Sequence, residues 1–314
     1  MFFIAKRLCV TFITMFLVSL FTFAAFTLIP GDPAALILGT EGTEEQLSAM
    51  RLEMGLDRSF AGRYASWLGG FLTGKLGNSS RFRGEAITDM ILERLPVTAA
   101  LAFLSVIFIV LIGFPLSLIG IRREGSRASR IVHTLTALNI SFPGFFLGVL
   151  FIWIFGVILR FFAPGAYTGY QENPAAFAAY LVFPALAIAI PNAAILVKFL
   201  RASMEKELRS PYIRTARSKG CSPNGVLFRH VFKNAVIPSV TLLGMIVGEV
   251  FSGSIVIEQV FTIPGIGRLL IASINSRDYQ LIAALVAYIS FIVILANTAA
   301  DIAIQIIDPR IRVR

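Results

Sequence analysis

Six long apolar stretches alternate with polar connections of uneven length along the chain. They cover residues 9–29, 98–120, 135–159, 181–200, 236–257 and 280–304. Each is about 20 residues long or longer, which is the length that an α-helix needs to cross the hydrocarbon core of a bilayer. The pattern therefore predicts an all-α integral membrane protein with six transmembrane helices.

The composition supports this prediction. Of the 314 residues 56% are hydrophobic and 15% are charged, and the mean hydropathy is +0.79. A soluble fold of this size cannot bury so much apolar surface, so the chain must use lipid as part of its solvent. The first stretch follows Lys6 and Arg7 and is longer than the apolar core of a signal peptide, so we expect it to be retained as a helix.

The distribution of charge predicts the orientation in the membrane. An even number of spans places both termini on one side, and if that side is the cytoplasm it collects 18 of the 28 basic residues. By the positive-inside rule we expect a multi-pass membrane protein with both termini in the cytoplasm. Membrane topology then accounts for the formal charge of +10, and no nucleic-acid partner is predicted.

This orientation divides the chain into four parts. Residues 1–29 form an N-terminal transmembrane helix, and residues 30–97 form a small extracytoplasmic cap of short helices. Residues 98–304 form the core with five transmembrane helices and a long cytoplasmic loop at 201–235, and residues 305–314 are a cytoplasmic tail. Prolines within or beside the spans predict kinks, because proline removes a helix hydrogen bond. These prolines are Pro143, Pro184 and Pro191.

One short motif has the spacing of a phosphate-binding loop. Gly69, Gly74 and Lys75 match GxxxxGK, but Leu76 follows and has no hydroxyl to bind Mg²⁺, and no strand precedes the motif. The motif also lies on the predicted outer side, where ATP is absent. We therefore predict that this chain binds neither ATP nor another cofactor itself.

Few other residues offer chemistry. Cys9 and Cys221 lie far apart without CxxC spacing, so neither a disulfide nor a metal site is predicted. His133 and His230 belong to arginine-rich cytoplasmic segments, and no nucleophile–base pair can be assembled around them. We predict no catalytic residue and no enzymatic activity.

The connection from Arg201 to Lys233 is the most informative polar segment. It is basic, it carries helix-forming residues on both sides of Pro211, and a break follows at Gly220. Its stretch YIRTARSKGCSPNGVLFRHVFKNAVIP (212–238) resembles the cytoplasmic signature of importer-type ABC permeases, in which Glu-Ala-Ala precedes a glycine and then Ile-x-Leu-Pro. Ala216 and Gly220 match that signature.

Further segments resemble one branch of these permeases, the dipeptide/oligopeptide/nickel family, over nearly the whole chain. They are LIPGDPAA (28–35), MGLDRSFAGRYASWL (54–68), ERLPVTAAL (93–101), RASM (201–204), IEQVFTIPGIGRLLIASINSRDYQLI (257–282) and DPRIR (308–312). The resemblance is to the first-permease, or B-type, component and implies a fold like that of type I ABC importers. It also implies a place in the bacterial cytoplasmic (inner) membrane and three kinds of protein partner. They are a homologous second permease, two ATP-binding subunits that use ATP and Mg, and an extracytoplasmic solute-binding protein. Membrane lipid is the further partner that the apolar spans predict.

The same resemblance implies that a short helix around Ser210 to Gly220 docks in a groove of the ATPase. The residues expected to couple the two subunits are Tyr212, Arg214, Thr215, Ala216, Arg217, Lys219 and Gly220. Glycine lets the chain reverse after the helix, and the arginines present charge to a partner. The alternative is a solvated loop whose arginines only fix the topology.

Glu249 is an acid inside the fifth predicted span. An ionised carboxylate at this depth is costly and tends to face a cavity or a partner, so Glu249 and Ser252 are candidates for the translocation pathway. The alternative is a protonated Glu249 that is hydrogen-bonded to a neighbouring helix. Gly244, Gly248 and Gly253 in the same span predict close helix contacts.

The segment after the fifth span predicts a turn and a short amphipathic helix that runs to Asp278. The turn is Ile263-Pro264-Gly265-Ile266-Gly267-Arg268. The family resemblance implies that this region lies near the outer mouth of the pathway, and the alternative is a plain connector.

Together these features predict the permease subunit of an ATP-driven importer for di- or oligopeptides or a similar small solute. Within the same family, nickel or a metal chelate is an alternative cargo. An ion-driven secondary transporter is an alternative from another class, and Glu249 is the feature that would support it.

Overall fold

The computed structural model describes residues 2–28, 43–53, 55–79, 81–82, 84–122, 125–163 and 165–307. In this part of the chain the regular structure is helical. The helices are α1 (Phe2–Leu28), α2 (Glu44–Glu53), α3 (Phe60–Thr73), α4 (Ile87–Arg122), α5 (Arg127–Ser141), α6 (Gly144–Phe151), α7 (Pro174–Leu208), α8 (Pro211–Ser218), α9 (Pro223–Val260), α10 (Ile266–Ser276) and α11 (Tyr279–Ile307). The predicted all-α membrane fold is confirmed.

Five helices in the described residues are long and apolar enough to cross a membrane, namely α1, α4, α7, α9 and α11. The pair α5 and α6 makes a sixth crossing if the two helices count as one span, but they are bent by 101°. The stretch 135–159, predicted as a single span, is therefore not one continuous helix.

Proline chemistry explains this break. Phe142 precedes Pro143 and has an extended backbone (φ −98°, ψ 125°), because the proline ring disfavours the helical region for the residue before it. After the break, α6 continues as a π-helical stretch at Ile152–Ile158. Pro184 and Pro191, in contrast, lie inside the continuous helix α7.

Several helices extend beyond their apolar windows. The helix α4 begins at Ile87, well before residue 98, and its first turns carry Asp89, Glu93 and Arg94. These residues lower the local hydropathy but do not oppose a helix, so the hydropathy pattern placed the helix start too late. At the other end of the chain's core, α9 starts at Pro223 rather than near residue 236.

The core is built around α4 and α7, with α9 against both. Small residues allow the close approach: Gly113 on α4 lies against the side chain of Leu196 on α7, where an added Cβ would come within 2.6 Å of Leu196 Cδ2. Ala185, Ala187 and Ala189 are fully buried along α7. Helices in lipid associate largely through such packing, because the surrounding hydrocarbon is as apolar as they are.

The helix α3 packs against α1 and α11 through aromatic side chains. Phe23 of α1 contacts Tyr64 and Trp67 of α3, and Phe71 of α3 meets Phe291 edge to face at a centroid distance of 5.0 Å. The helices α2 and α3 are the short helices in the predicted cap. The fragments 28–35 and 308–312 lie largely or wholly outside the described residues.

Candidate coupling and translocation sites

The short helix predicted around Ser210 to Gly220 is α8. Its sequence sets its limits: Pro211 occupies the first turn, where a missing N–H costs nothing, and Gly220 follows the end with φ +79°. Nothing lies within 4 Å of a Cβ added at Gly220, so glycine is needed there for backbone conformation and not for space.

The helix α8 is strongly amphipathic. Ile213 and Ala216, three residues apart, are buried, whereas Arg214, Arg217 and Lys219 are exposed. The buried side chains join a cluster that includes Leu200 and Met204 of α7 and Val226, Leu227 and Val231 of α9. The helix is thus fixed on its apolar face and presents a basic face outward, and exposed Thr215 lies beside it.

Tyr212 braces the start of α8 against both neighbouring helices. Its hydroxyl donates to a carboxylate oxygen of Glu207 on α7 and accepts a hydrogen bond from Asn234 Nδ2 on α9 at 3.0 Å. Burial raises the pKa of Tyr212 above its ordinary value, and the hydrogen bond to Glu207 raises this pKa further. The hydroxyl therefore keeps its proton at physiological pH and stays a donor.

The chain reverses directly from α8 into α9. The N–H of Cys221 donates to Ala216 O at 3.2 Å and the N–H of Gly220 donates to Arg217 O at 3.0 Å, which closes the end of α8. Ser222 then caps the next helix by accepting from Gly225 N–H. A π-helical stretch at Val226–Phe232 leads into the apolar part of α9, so α8 is joined to a membrane helix without a loose linker.

Glu249 and Ser252 share an exposed face of α9. They line a groove of about 450 Å³ between α1, α9 and α11. The remaining lining residues are Arg7, Gly244, Met245, Gly248, Val293, Asn297 and Asp301. Arg7 and Asp301 form an ion pair across the groove, and Glu249 has neither a hydrogen bond nor an ion pair within the described residues.

Only some of the three α9 glycines predicted to make close helix contacts do so in the structure. Gly248 lies against the amide of Asn297 on α11, where an added Cβ would come within 2.6 Å of Asn297 Oδ1, and Gly244 is buried. Gly253 is exposed with no atom within 4 Å of an added Cβ. The close contact predicted at Gly248 is confirmed, and Gly253 makes none within the described part of this chain.

A second groove, of about 560 Å³, lies between α5 and α7. His133 lines it together with Lys198, Arg201 and Glu205, and Arg201 Nε donates to Glu205 Oε1 at 2.9 Å. These residues are far apart in the sequence, and the fold brings them together because α5 packs against the second half of α7. Of the two basic side chains Lys198 and Arg201 in this groove, Arg201 is thus neutralised by Glu205 within the chain.

Glu258 is a buried acid that the sequence pattern did not mark. It lies just beyond the predicted fifth span and is fully buried, whereas Glu249 is exposed. The available signal was its position directly before the glycine-rich turn Ile263 to Arg268, because a carboxylate next to a helix start has unpaired N–H groups to accept from.

Family models cover almost the whole chain. The model described as "Binding-protein-dependent transport system inner membrane component" matches residues 109–313, and the corresponding N-terminal model matches residues 1–102. The chain belongs to this family. The resemblance to ABC importer permeases is thereby confirmed, and the chain is a transmembrane transport subunit and not an enzyme.

Several curated relatives match over their full length. A probable peptide ABC transporter permease of Sinorhizobium fredii is 34% identical over 310 residues, which are 99% of this chain and 99% of the relative. A putative peptide transport system permease of Brucella abortus is 34% identical and covers 98% of each chain. The glutathione transport system permease of Escherichia coli is 34% identical, with 99% of this chain and 98% of the relative covered.

A solved structure, described as an amino acid ABC transporter with histidines, has the same fold. The TM-score is 0.51 at 18% sequence identity, and the match covers 71% of this chain and 94% of that one. At this identity the likeness concerns the fold alone, which is that of an ABC transporter permease.

Proposed function

We propose that this chain is the membrane-spanning permease of an importer for di- or oligopeptides, or for a small peptide such as glutathione. Two separate ATPase subunits drive it, a second homologous permease completes the pathway, and an extracytoplasmic binding protein delivers the cargo. Support comes from the full-length relatives named for peptide and glutathione transport. Nickel or a metal chelate as cargo, and ion-driven transport, have no comparable support.

We also place the protein in the bacterial cytoplasmic membrane with both termini in the cytoplasm. The positive-inside distribution supports this orientation, and it puts the basic face of α8 on the side where ATP is available.

The observation that carries the proposal is the construction of α8. Its apolar face is held by α7 and α9, Tyr212 braces its start, and Arg214 and Arg217 project from the opposite face. A helix held this firmly passes any displacement of its exposed face to the two membrane helices. ATP-driven closure of the ATPases would thus shift the equilibrium between inward- and outward-facing states.

Charge reversal at α8 tests this coupling. Arg217→Glu should weaken assembly with the ATPase subunits and lower ATP-dependent uptake by about tenfold or more, equivalent to ~1.4 kcal/mol of binding free energy. Co-purification of the ATPase and uptake into proteoliposomes are the two measurements. The matched control is Arg127→Glu at the start of α5, an exposed arginine on the same predicted side of the membrane.

The control separates coupling from topology. If the arginines only fix the orientation of the chain, the two reversals will have similar effects. Normal assembly and normal uptake with Arg217→Glu, together with several further substitutions across 210–220, would remove the coupling assignment.

The groove at Glu249 and Ser252 is the part of this chain that we assign to the translocation pathway. An exposed, unpaired carboxylate within a spanning helix is costly in lipid, so this face of α9 requires water, cargo or the second permease beside it. The nearby Asn297 Oδ1, which is buried without a hydrogen-bond partner in the described structure, adds a second polar group.

Glu249→Gln tests this assignment. We expect uptake of a lysine-containing peptide to fall about threefold or more, the effect of ~0.7 kcal/mol, with less change for a neutral peptide, because only the charge is removed. Ser252→Ala, on the same face, removes a polar group without changing the charge, so it should affect the uptake of both peptides equally. Unchanged uptake of both peptides by Glu249→Gln would exclude a role in cargo contact.

A further inference from the structure

The corner between α9 and α10 contains a buried carboxylate held entirely by neutral donors. Glu258 of α9 is fully buried, and its Oε1 accepts from the hydroxyl of Thr98 on α4 at 2.7 Å. Its Oε2 accepts from the backbone N–H of Gly267 at 2.7 Å and of Arg268 at 3.2 Å. Thr98 Oγ1 in turn accepts from Ile266 N–H at 2.9 Å.

These contacts cap the start of α10. The first N–H groups of a helix have no partner within the helix and are usually capped by the residue that precedes it. Here that residue is Gly265, which makes no side-chain cap. Residues from α9 and α4 supply the acceptors instead. The position of α10 therefore depends on α9.

The two glycines of the turn make room for this cap. The three atoms nearest to a Cβ added at Gly265 all belong to the Glu258 carboxyl group. A Cβ added at Gly267 would come within 3.0 Å of Glu258 Oε2 and would overlap the Ile255 backbone. The turn is thus fitted around the carboxylate, and the backbone at Gly265 (φ −99°) does not itself require glycine.

Other contacts fasten the corner, and at the start of α10 Thr98 caps Ile266 N–H beside the two N–H groups that Glu258 caps. Tyr180 Oη donates to Phe261 O at 2.6 Å and ties the end of α9 to α7, and Ile263 N–H donates to Glu258 O at 2.8 Å. The Arg268 guanidinium donates to Thr262 O at 2.7 Å and not to the carboxylate. No basic side chain contacts Glu258 in the described residues.

The opposite end of α9 is the end joined to α8. The helix has 38 residues, which corresponds to about 57 Å at 1.5 Å per residue. Its first turns pack against Ile213 and Ala216 of α8, and Glu258 lies in its last turn. One helix therefore runs from the proposed ATPase contact to the cap of α10.

We propose that Glu258 is a positioning residue for transport, because it fastens α10 to the end of α9. A displacement of α9 at its cytoplasmic end then carries α10 with it. This movement of α10 opens or closes the pathway at the opposite face of the membrane. This inference rests on the proposed function of α8 for its driving force. The attachment of α10 to α9 is a property of the corner alone.

Paired spin labels measure this attachment directly. Labels are placed at the exposed residues Gln259 on α9 and Asn275 on α10, in a chain whose exposed Cys9 and Cys221 are replaced by serine. The assembled transporter is compared without nucleotide and after trapping with ATP and vanadate. With Glu258 present we expect one narrow distance distribution that is the same in both states.

Three variants separate positioning from stability. Glu258→Ala should broaden the distribution and make it differ between the two states, with uptake per ATP hydrolysed lowered about tenfold. Glu258→Gln keeps one carbonyl acceptor and should be intermediate. Tyr180→Phe removes a buried hydrogen bond from the same corner without touching the start of α10, and should keep the narrow distribution and the normal ratio.

Narrow, unchanged distances in Glu258→Ala would overturn the proposal, as would a loss of uptake per ATP that Tyr180→Phe reproduces. If Glu258→Ala does not assemble, Glu258→Gln decides by the same criteria. The distance between the two spin labels can be measured in the nucleotide-free transporter, even if ATP-dependent uptake of peptides is absent. A failure of the proposed function can therefore be told apart from a failure of this inference.

Discussion

At the scale of single residues, two acids near the same end of α9 have opposite environments. Glu249 is exposed on a polar groove, whereas Glu258, nine residues later in the sequence, is buried against a hydroxyl and two backbone N–H groups. A hydropathy pattern marks Glu249 because it interrupts an apolar run. It does not mark Glu258, because the partners of that residue come from α4 and from a turn that only the fold brings together.

The fit between Gly265 and Glu258 leads to a prediction for stability. Gly265→Ala should destabilise the protein by about 1–3 kcal/mol, because the new methyl group overlaps the carboxyl group. Glu258→Ala should cost a similar ~1–3 kcal/mol by leaving N–H groups unpaired. The loss of stability in the double variant should be smaller than the sum of the two single losses by about 1 kcal/mol or more, because Glu258→Ala removes the carboxyl group that the new methyl group overlaps.

Thermal unfolding of the purified protein in detergent measures this cycle. Gly267→Ala is the control, since a Cβ at that position overlaps the backbone at Ile255, which Glu258→Ala does not remove. Additive effects of Gly265→Ala and Glu258→Ala would show that the carboxylate does not occupy the position described here.

At the scale of elements, the limits of the amphipathic helix α8 could be predicted closely, whereas the division of the stretch 135–159 between α5 and α6 could not. Pro211 and Gly220 mark the limits of α8 through the two backbone rules that favour proline in a first turn and glycine after a last turn. The brace at Tyr212 could not be predicted, because Glu207 and Asn234 reach it from two other helices.

The bent pair α5 and α6 shows that a proline in the sequence does not by itself predict where a helix ends. Pro143, Pro184 and Pro191 all predict kinks, but only Pro143 divides two helices. Phe142 and Pro143 have extended backbones, and Gly144 packs against Ala187 O, where an added Cβ would come within 3.1 Å. The contact of Gly144 with α7 accompanies the break at Pro143, and a single sequence does not show such contacts.

At the scale of the whole molecule, the all-helical membrane architecture was predictable because hydrophobic length and charge distribution act on every span. Large apolar side chains remain exposed on several helices, including Phe12, Phe21 and Phe103, as expected for a chain that contacts lipid and other subunits. The arrangement of α4, α7 and α9 depends on paired small residues such as Gly113, and these pairings appear only in the folded chain.

We propose that this permease draws its energy from ATPase subunits that contact α8. The most direct measurement is uptake of a labelled tripeptide into proteoliposomes that contain the permease pair and the ATPases, with the binding protein outside and ATP inside or absent. We predict accumulation that requires ATP on the ATPase side and persists when ionophores collapse the ion gradients. Accumulation by the permeases without ATPases, driven by an ion gradient and abolished by ionophores, would contradict it.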